Sequence, residues 1–442
     1  MIQLPDDVVS IINRIEEAGF EAYAVGGCVR DSLLGRVPND WDITTNALPQ
    51  QIKSLFARTI DTGIQHGTVT VMMHRTGYEV TTYRIDGEYE DSRHPKEVTF
   101  TSDLVEDLRR RDFTINAMAY NEKNGLVDVF GGQEDLQNGV IRAVGDARER
   151  FSEDALRMMR AVRFAAQLGY EIEEETFDAI RALADTLRNI SAERIQTELV
   201  KLVVSAHPEH IVLLYRSGIT GVIFPEFDRV METPQNHPHH CYDVGMHIVH
   251  SMQETRPDKV LRLTMLFHDI GKPETKTTDE NGIDHFYGHA AVSAEIAKKV
   301  LSGLKFDNDT TFAVIKLVSE HDRKIEPDQK GVRRALQRFG EDMFLKLLEV
   351  KKADVLAQST YKREEKLEQL ACLKTVYEQV RQAGDCFCLK DLAVTGKDLI
   401  ALGMKPGPQI GQVLSSLLEL VIEDPSQNTK ENLLKTAKQR IF

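Results

Sequence analysis

Two glycines, an arginine and a pair of aspartates stand close enough in the sequence to bind a nucleotide phosphate and a divalent metal together. Gly26-Gly27-Cys28-Val29-Arg30-Asp31 is followed at Asp40-Trp41-Asp42 by two carboxylates spaced two residues apart. Adjacent glycines let backbone N–H groups approach a phosphate with no Cβ in the way. Arg30 can add charge-assisted donors to the same group. On a strand, where side chains repeat every two residues, Asp40 and Asp42 point off one face. Their hard oxygens suit Mg²⁺, and paired metals stabilise the attacking and leaving oxygens of an in-line nucleotidyl displacement. Either half alone is ordinary: glycine pairs make turns, and loop aspartates are commonly solvated.

The elements around these residues follow from apolar spacing. Val8, Ile11, Ile12 and Ile15 predict a helix that Gly19 ends, and Tyr23-Ala24-Val25 predicts a strand running into the glycine turn. A helix is expected around Pro49–Phe56, then strands over Gly67–Met73 and Tyr78–Tyr83. Glu79 lies on the second of these strands as a candidate third metal carboxylate, or as an ordinary surface glutamate. Asp86–Pro95 is rich in turn formers without apolar periodicity, which predicts a mobile loop. Leu126–Phe130 reads as a further strand and Gly131-Gly132 as a turn.

Two more constellations carry charge in a pattern. In Arg109-Arg110-Arg111-Asp112-Phe113-Thr114-Ile115-Asn116, Arg111, Asp112 and Asn116 can hold a triphosphate and a ribose hydroxyl, although an arginine run is commonly a solvated helix face. Arg150–Arg157 is expected to open a helix with Ser152 as its N-cap. Asp154 and Arg157 then share a face at i and i+3. Cytosine and adenine each present an exocyclic amine donor beside a ring-nitrogen acceptor. Asp154 can accept from the amine and Arg157 can donate to the ring nitrogen, whereas uracil and guanine reverse both contacts. Each such contact is worth about 1–3 kcal/mol by analogy with base-edge readout. A plain i,i+3 salt bridge is the commoner meaning of the spacing.

Taken together, the glycine pair, R-D-x-L-L-G and D-x-D resemble the nucleotidyltransferase signature, and R-R-D-x-x-x-N-A and E-D-x-x-R narrow the resemblance to the class II tRNA nucleotidyltransferase and poly(A) polymerase family. The resemblance implies template-independent addition of CCA to tRNA from CTP and ATP. It makes Asp40 and Asp42 the catalytic Mg²⁺ ligands, with Gly27, Arg30, Arg111, Asp112, Asp154, Arg157, Arg160 and Arg163 holding the nucleotide. It assigns the Asp86–Pro95 loop to the switch from C to A addition, and an undeleted loop disfavours a CC-only enzyme. A poly(A) polymerase shares these motifs, but the long basic C-terminal extension and basic G-[RK]-[RK]-F run expected of that branch are not seen; an A-adding specialist is an alternative that the sequence leaves open.

Eight of the 14 histidines lie between His237 and His289. His268-Asp269 follows an apolar helix (Leu261, Leu263, Leu266, Phe267) and precedes Gly271-Lys272-Pro273, read as a helix stop. His247, with His250 one turn away, His289, His321 and Asp354 are placed on or at the ends of other helices. Ligands from separate helices can converge in a bundle core, where imidazole and carboxylate suit transition metals. The ordered set resembles the HD phosphohydrolase pattern H…HD…H…H…D. That resemblance implies a second metal site of His247, His268, Asp269, His289, His321 and Asp354, holding nickel, manganese, cobalt or iron. It also implies phosphatase or 2′,3′-cyclic phosphodiesterase activity. A chain acting chiefly as an HD hydrolase or RNA-binding protein is the alternative from another class.

The whole chain fits this organisation. Its 442 residues suggest about three domains at roughly 150 residues each. The expected class is α+β: a nucleotidyltransferase head with a mixed or antiparallel sheet over 1–150, then an all-α neck over 151–225, an HD-containing body over 226–360 and a helical tRNA-binding tail over 361–442. The formal charge of −14 excludes wholesale nucleic-acid coating, so RNA contact must use local basic patches such as Lys430, Lys435, Lys438 and Arg440. Apolar runs are too short to span a membrane, and the first residues lack a signal-peptide pattern. Five cysteines without paired spacing fit a reducing compartment, so a cytoplasmic monomer or dimer is expected.

Overall fold

The computed structural model describes residues 2–87 and 98–441. Of the loop expected over Asp86–Pro95, residues 88–95 lie outside that description. The chain forms two compact units, Met1–Asp228 with Gly303–Lys305, and Arg229–Ser302 with Phe306–Phe442. The class is mixed α+β, with the sheet in the first unit and helices dominating the second.

In the first unit the strands are β1 (Ala22–Val25), β2 (Asp42–Thr45), β3 (Thr59–Gly63), β4 (Thr68–Met73), β5 (Thr76–Thr82), β6 (Arg84–Asp86), β7 (Val98–Phe100), β8 (Ala119–Asn121) and β9 (Gly125–Val127). Seven form one sheet in the order β3-β4-β5-β2-β1-β8-β9, in which only β2 and β5 run parallel. β6 and β7 pair separately and antiparallel, so residues flanking the undescribed segment are held side by side. Tyr23, Val25, Tyr83, Leu108, Ala117 and Ala119 form part of a core between the sheet and the Leu104–Arg109 helix. β3 has no counterpart among the expected strands. It is an edge strand with exposed residues at its centre, so no apolar alternation marks it.

Two expected helix boundaries are corrected. The helix carrying Ser152 starts at Ala147, where Asp146 accepts from the Arg148 and Glu149 N–H groups, and it ends at Glu153. Ser152 is therefore inside the helix and bonds the Arg148 carbonyl, while Asp154 is extended and the next helix is Leu156–Leu168. Lys272-Pro273 also starts a helical turn, Lys272–Thr275, because a proline is tolerated where the N–H is unused.

The second unit is built from amphipathic helices with separate apolar clusters. One joins Val332, Leu336, Phe344, Leu373 and Val380, and another joins Leu399, Leu417, Val421 and Leu433 near the C-terminal helix Lys430–Ile441. All five cysteines are free. No helix among the described residues is long and apolar enough to cross a membrane.

Candidate functional site

Gly26 leaves β1 with φ +83° and ψ −130°, a conformation that a side chain makes costly. A Cβ on it would lie 3.0 Å from Arg111 Nη1, so the glycine is needed for two reasons. Gly27 opens the Gly27–Leu33 helix, from which Arg30 donates to Asn116 Oδ1 at 2.7 Å and pairs with Asp31 at 2.8 Å. β2 begins at Asp42, and Asp40 precedes it rather than sharing the strand. Asp42 stands beside Glu79 in the parallel β2–β5 register. Crowding by protein atoms raises the Asp42 carboxyl above its ordinary value; Arg111 opposes this, and the Glu79 and Asp40 charges add to it. Carboxylates that repel one another at an exposed edge fit a divalent cation, which removes that repulsion.

The cationic side of the site surrounds one ring. Arg163, Arg30 and Arg160 lie 3.9, 5.1 and 5.3 Å from the centroid of Phe164. Arg160 grips Asp112 through two nitrogens at 2.7 and 2.6 Å, and Asn116 donates to the other oxygen at 3.1 Å. Burial alone raises the Asp112 carboxyl, but Arg160, Asn116 and Arg157 reverse this and hold it down at about 2. Arg163 pairs with Glu198 at 2.5 Å. Buried Asp107 holds Arg110 at 2.8 Å and reaches Arg111 at 3.6 Å, while the Thr44 hydroxyl donates to it at 3.0 Å.

Asp154 and Arg157 do not pair with each other as the i,i+3 spacing allows. Asp154 accepts from the Leu156 N–H at 3.0 Å and from two Arg194 nitrogens at 2.7 and 3.3 Å. Arg157 donates to Glu153 and to the carbonyls of Arg150 and Arg110. Three of about four acceptor positions on Asp154 and three of about five donors on Arg157 are thereby used, which leaves each able to bond a base.

In the second unit, the six predicted His and Asp residues converge. The Nδ1 atoms of His268, His289 and His321 face the carbonyls of Met265, Phe286 and Val318 at 2.7, 2.8 and 2.7 Å, and His247 Nδ1 faces Ala357 at 3.4 Å. Each such bond places the proton on Nδ1 and leaves a bare Nε2. Those Nε2 atoms meet in pairs, His247 with His268 and His289 with His321, both at 3.2 Å. Two lone pairs facing at that distance repel, and a cation between them removes the repulsion, so the donor set fits metal.

Two groups have ligand atoms within 4.8 Å of one another, His247/His268/Asp354 and Asp269/His289/His321. Asp269 reaches both: Oδ2 lies 3.4 Å from His247 and His268, and Oδ1 lies 3.2 Å from His289 and 3.7 Å from His321. Burial lowers His268 to about 4 although the Asp269 carboxylate opposes it, so its ring is neutral as a ligand must be. Burial raises Asp269, yet His268 and Lys272 hold it well below the carboxylate range. His250, the alternative to His247, instead stacks on Tyr242 away from the cluster.

Three family models match the chain: the poly A polymerase head domain over residues 22–142, the probable RNA and SrmB-binding site of polymerase A over 169–231, and tRNA nucleotidyltransferase domain 2 over 275–437. The CCA-adding enzyme of Levilactobacillus brevis is 38% identical over 424 residues, which cover 96% of this chain and 95% of that one. The chain belongs to the CCA-adding enzyme family. That of Lactobacillus helveticus is 36% identical over 98% of this chain and 97% of its own. The solved Bacillus stearothermophilus CCA-adding enzyme in complex with CTP has 29% identity and a TM-score of 0.74, with 98% and 96% of the two chains covered.

Within this CCA-adding enzyme family member, sequence reasoning missed Arg194, Asp107, Glu198 and Lys272. Lys272 is 4% exposed and lies 2.6 Å from Asp269 Oδ2. Its i,i+3 spacing from Asp269 was a usable signal. Arg194, 40 residues from Asp154, left none without the fold.

Proposed function

We propose that this chain adds C, C and A to tRNA 3′ ends without a nucleic-acid template, using CTP and ATP, as an enzyme of the class II type. The observation that carries this reading is the acidic edge of Asp40, Asp42 and Glu79 facing Arg111, itself packed against Gly26. Metal-binding and phosphate-binding chemistry stand side by side there. The full-length relatives named CCA-adding enzymes and the CTP complex of the Bacillus stearothermophilus enzyme support it.

Asp40 and Asp42, with Glu79 as a third carboxylate, would hold Mg²⁺, which when bound would supply positive charge at the reacting phosphate. Gly27 gives the phosphates close backbone access, and Arg30, Arg111, Arg160 and Arg163 balance their charge. Asp112 keeps Arg160 and Asn116 in place. Asp154 accepts from the amine of C or A, and Arg157 donates to the ring nitrogen. The tRNA 3′-hydroxyl oxygen forms a bond to the α-phosphorus and loses its proton to water, the bond from that phosphorus to the bridging oxygen of the β-phosphate breaks, and pyrophosphate leaves. We assign the head to 1–150, the neck to 151–225, the body to 226–360 and the RNA-gripping tail to 361–442.

Three tRNA transcripts, ending before CCA, after C and after CC, test the reading when given CTP and ATP separately and together. Stepwise extension that stops at CCA is expected. Runaway adenylation would make the chain a poly(A) polymerase, and extension of the CC-ending transcript alone would make it an A-adding specialist.

The facing Nε2 pairs favour a second activity, HD-type phosphohydrolysis at His247, His268, Asp269, His289, His321 and Asp354. These six residues would hold a transition metal (nickel, manganese, cobalt or iron), which when bound would supply Lewis acidity at the phosphate. Release of phosphate from p-nitrophenyl phosphate by metal-loaded protein is the expected result, and none after loading with any of the four metals would discard it.

A further inference from the structure

Phe164 is enclosed by residues assigned above to the nucleotide, yet it is 5% exposed and so lies behind them. Its ring centroid is 3.9 Å from the Arg163 guanidinium carbon, 5.1 Å from that of Arg30 and 5.3 Å from that of Arg160. Arg160 and Arg163 share the Leu156–Leu168 helix with it, and Arg30 comes from the Gly27–Leu33 helix. Phe113, which follows Asp112 in the arginine motif, stands edge-on to the same ring with centroids 5.8 Å apart and planes at 80°. Phe113 is itself fully buried, so this contact fixes the tilt of the ring.

Three like charges around one ring repel, and each needs a compensating group. Carboxylates supply part of it: Arg30 has Asp31, Arg160 has Asp112 and Arg163 has Glu198. The cluster is thus formally neutral, three cations against three carboxylates, and an excess of charge is not what would draw phosphate to it. What matters is which N–H groups stay open. A carboxylate stabilises a guanidinium by occupying its N–H groups. An aromatic ring stabilises it through the quadrupole and occupies none. Arg160 meets Asp112 through Nε and Nη2, while Arg163 meets Glu198 through Nε and donates to Gln167 through Nη1. A guanidinium carries five N–H donors, so most of those on Arg160 and Arg163 stay open to phosphate oxygens.

We propose that Phe164 is a positioning residue for the triphosphate, its ring holding Arg30, Arg160 and Arg163 at set separations with their remaining N–H groups open to the phosphates. This rests on the nucleotide-addition reading above. The ring acts on the polyphosphate and not on the base, which Asp154 and Arg157 read. A leucine at this position fills much of the space but has no quadrupole, and the three guanidiniums lose their common support.

The test replaces Phe164 in the full chain with phenylalanines bearing one, two and three ring fluorines, which keep the shape and weaken the quadrupole stepwise. Binding of tripolyphosphate, followed by calorimetry, should weaken with each fluorine and reach about tenfold for the trifluorinated ring. CTP and ATP should weaken by the same factor, and the preference for CTP over UTP in tRNA extension should stay unchanged. Phe164→Leu should bind tripolyphosphate at least as weakly as the trifluorinated form. Equal affinity across the fluorine series overturns the proposal and leaves Phe164 as packing, whatever Phe164→Leu does. No tripolyphosphate binding by the unaltered chain, or a CTP preference that changes along the series, overturns it as well. Protein that adds no nucleotide to tRNA removes the transferase reading, while the fluorine series with tripolyphosphate still decides whether the ring supports a polyphosphate site.

Discussion

Arg194 holds Asp154 from 40 residues away in sequence, with two guanidinium nitrogens 2.7 and 3.3 Å from its two oxygens. A fork of this kind fixes the carboxylate plane, which a single contact does not. It also keeps Asp154 from turning onto Arg157, its near neighbour along the chain. If Asp154 reads the amine of C and A, then Arg194 sets the angle at which it does so. Arg194→Gln should lower discrimination of CTP over UTP about tenfold, equal to about 1.4 kcal/mol, within the range of one base contact. Single-nucleotide extension of a tRNA lacking CCA measures it. Arg194→Lys should fall between, and unchanged discrimination in both variants would separate Arg194 from base selection.

The two proposed activities use different units, so they should be lost separately. Asp40→Ala removes a carboxylate from the acidic edge and should reduce nucleotide addition about a thousandfold, as expected for several kcal/mol of charge stabilisation. Phosphate release should continue in that variant. His268→Ala should show the reverse. Loss of both activities in either variant, with an unchanged melting curve, would mean that the sites depend on each other.

Gly26 is the glycine whose replacement is costly at this turn, because its positive φ and the nearby Arg111 nitrogen both oppose a Cβ. Gly26→Ala should destabilise the first unit by about 1–3 kcal/mol, the usual cost of strained backbone. It should also raise KM for nucleotides by displacing Arg111. Thermal unfolding and nucleotide titration of the same variant check both effects. A raised KM without a lower melting temperature would mean that Arg111 moves while the backbone accommodates the change.

Most of this site was legible because its chemistry lies in short motifs. Gly26–Asp31, Arg110–Ala117 and Glu153–Arg157 each carry their residues within eight positions of one another, so the chain itself keeps them close in space. Helix and strand positions followed apolar periodicity wherever one face is buried, as for Val8, Ile11, Ile12 and Ile15. The failures have separate physical sources: a competing local cap, an exposed sheet edge and partners distant in sequence. Ser152 has a good capping side chain, yet Asp146 starts that helix six residues earlier. The edge strand β3 pairs on one side only, so burial did not select an alternating pattern. Arg194 and Glu198 lie on the Ala192–Val203 helix, and only its packing against Leu156–Leu168 brings them to Asp154 and Arg163.

Acid should reveal the Arg160–Asp112 contact. The native Asp112 carboxyl sits at about 2, below its ordinary value of 3.8. The ionised form is therefore favoured by folding, and that stabilisation is full above the ordinary value and lost as pH falls through about 2. In Arg160→Met burial acts with less opposition, the carboxyl rises, and the loss begins at higher pH. Acid unfolding followed by near-ultraviolet circular dichroism should show a higher midpoint for Arg160→Met than for the unaltered chain. Asp112→Asn should remove this part of the dependence, and identical acid midpoints in all three proteins would reject the assignment.

The carboxylate of Asp269 divides its two oxygens between two histidine pairs, and this predicts a metal count. Oδ2 faces His247 and His268, and Oδ1 faces His289 and His321. With Asp354 beside His247 at 3.0 Å, the first pair has two carboxylate partners, whereas the second has Asp269. A bridging carboxylate lowers the repulsion between two cations more than either histidine pair could, since imidazole carries no charge. In a background of Asp40→Ala with Asp42→Ala, which removes the other acidic site, the chain should retain about two equivalents of cobalt after dialysis. His247→Ala and His289→Ala should each lose about one equivalent, and the Asp354 pair should be the tighter of the two. Metal analysis by mass spectrometry measures the count. A single equivalent in the background protein, unchanged by His289→Ala, would assign the metal to His247, His268 and Asp354 alone and leave His289 and His321 for the substrate.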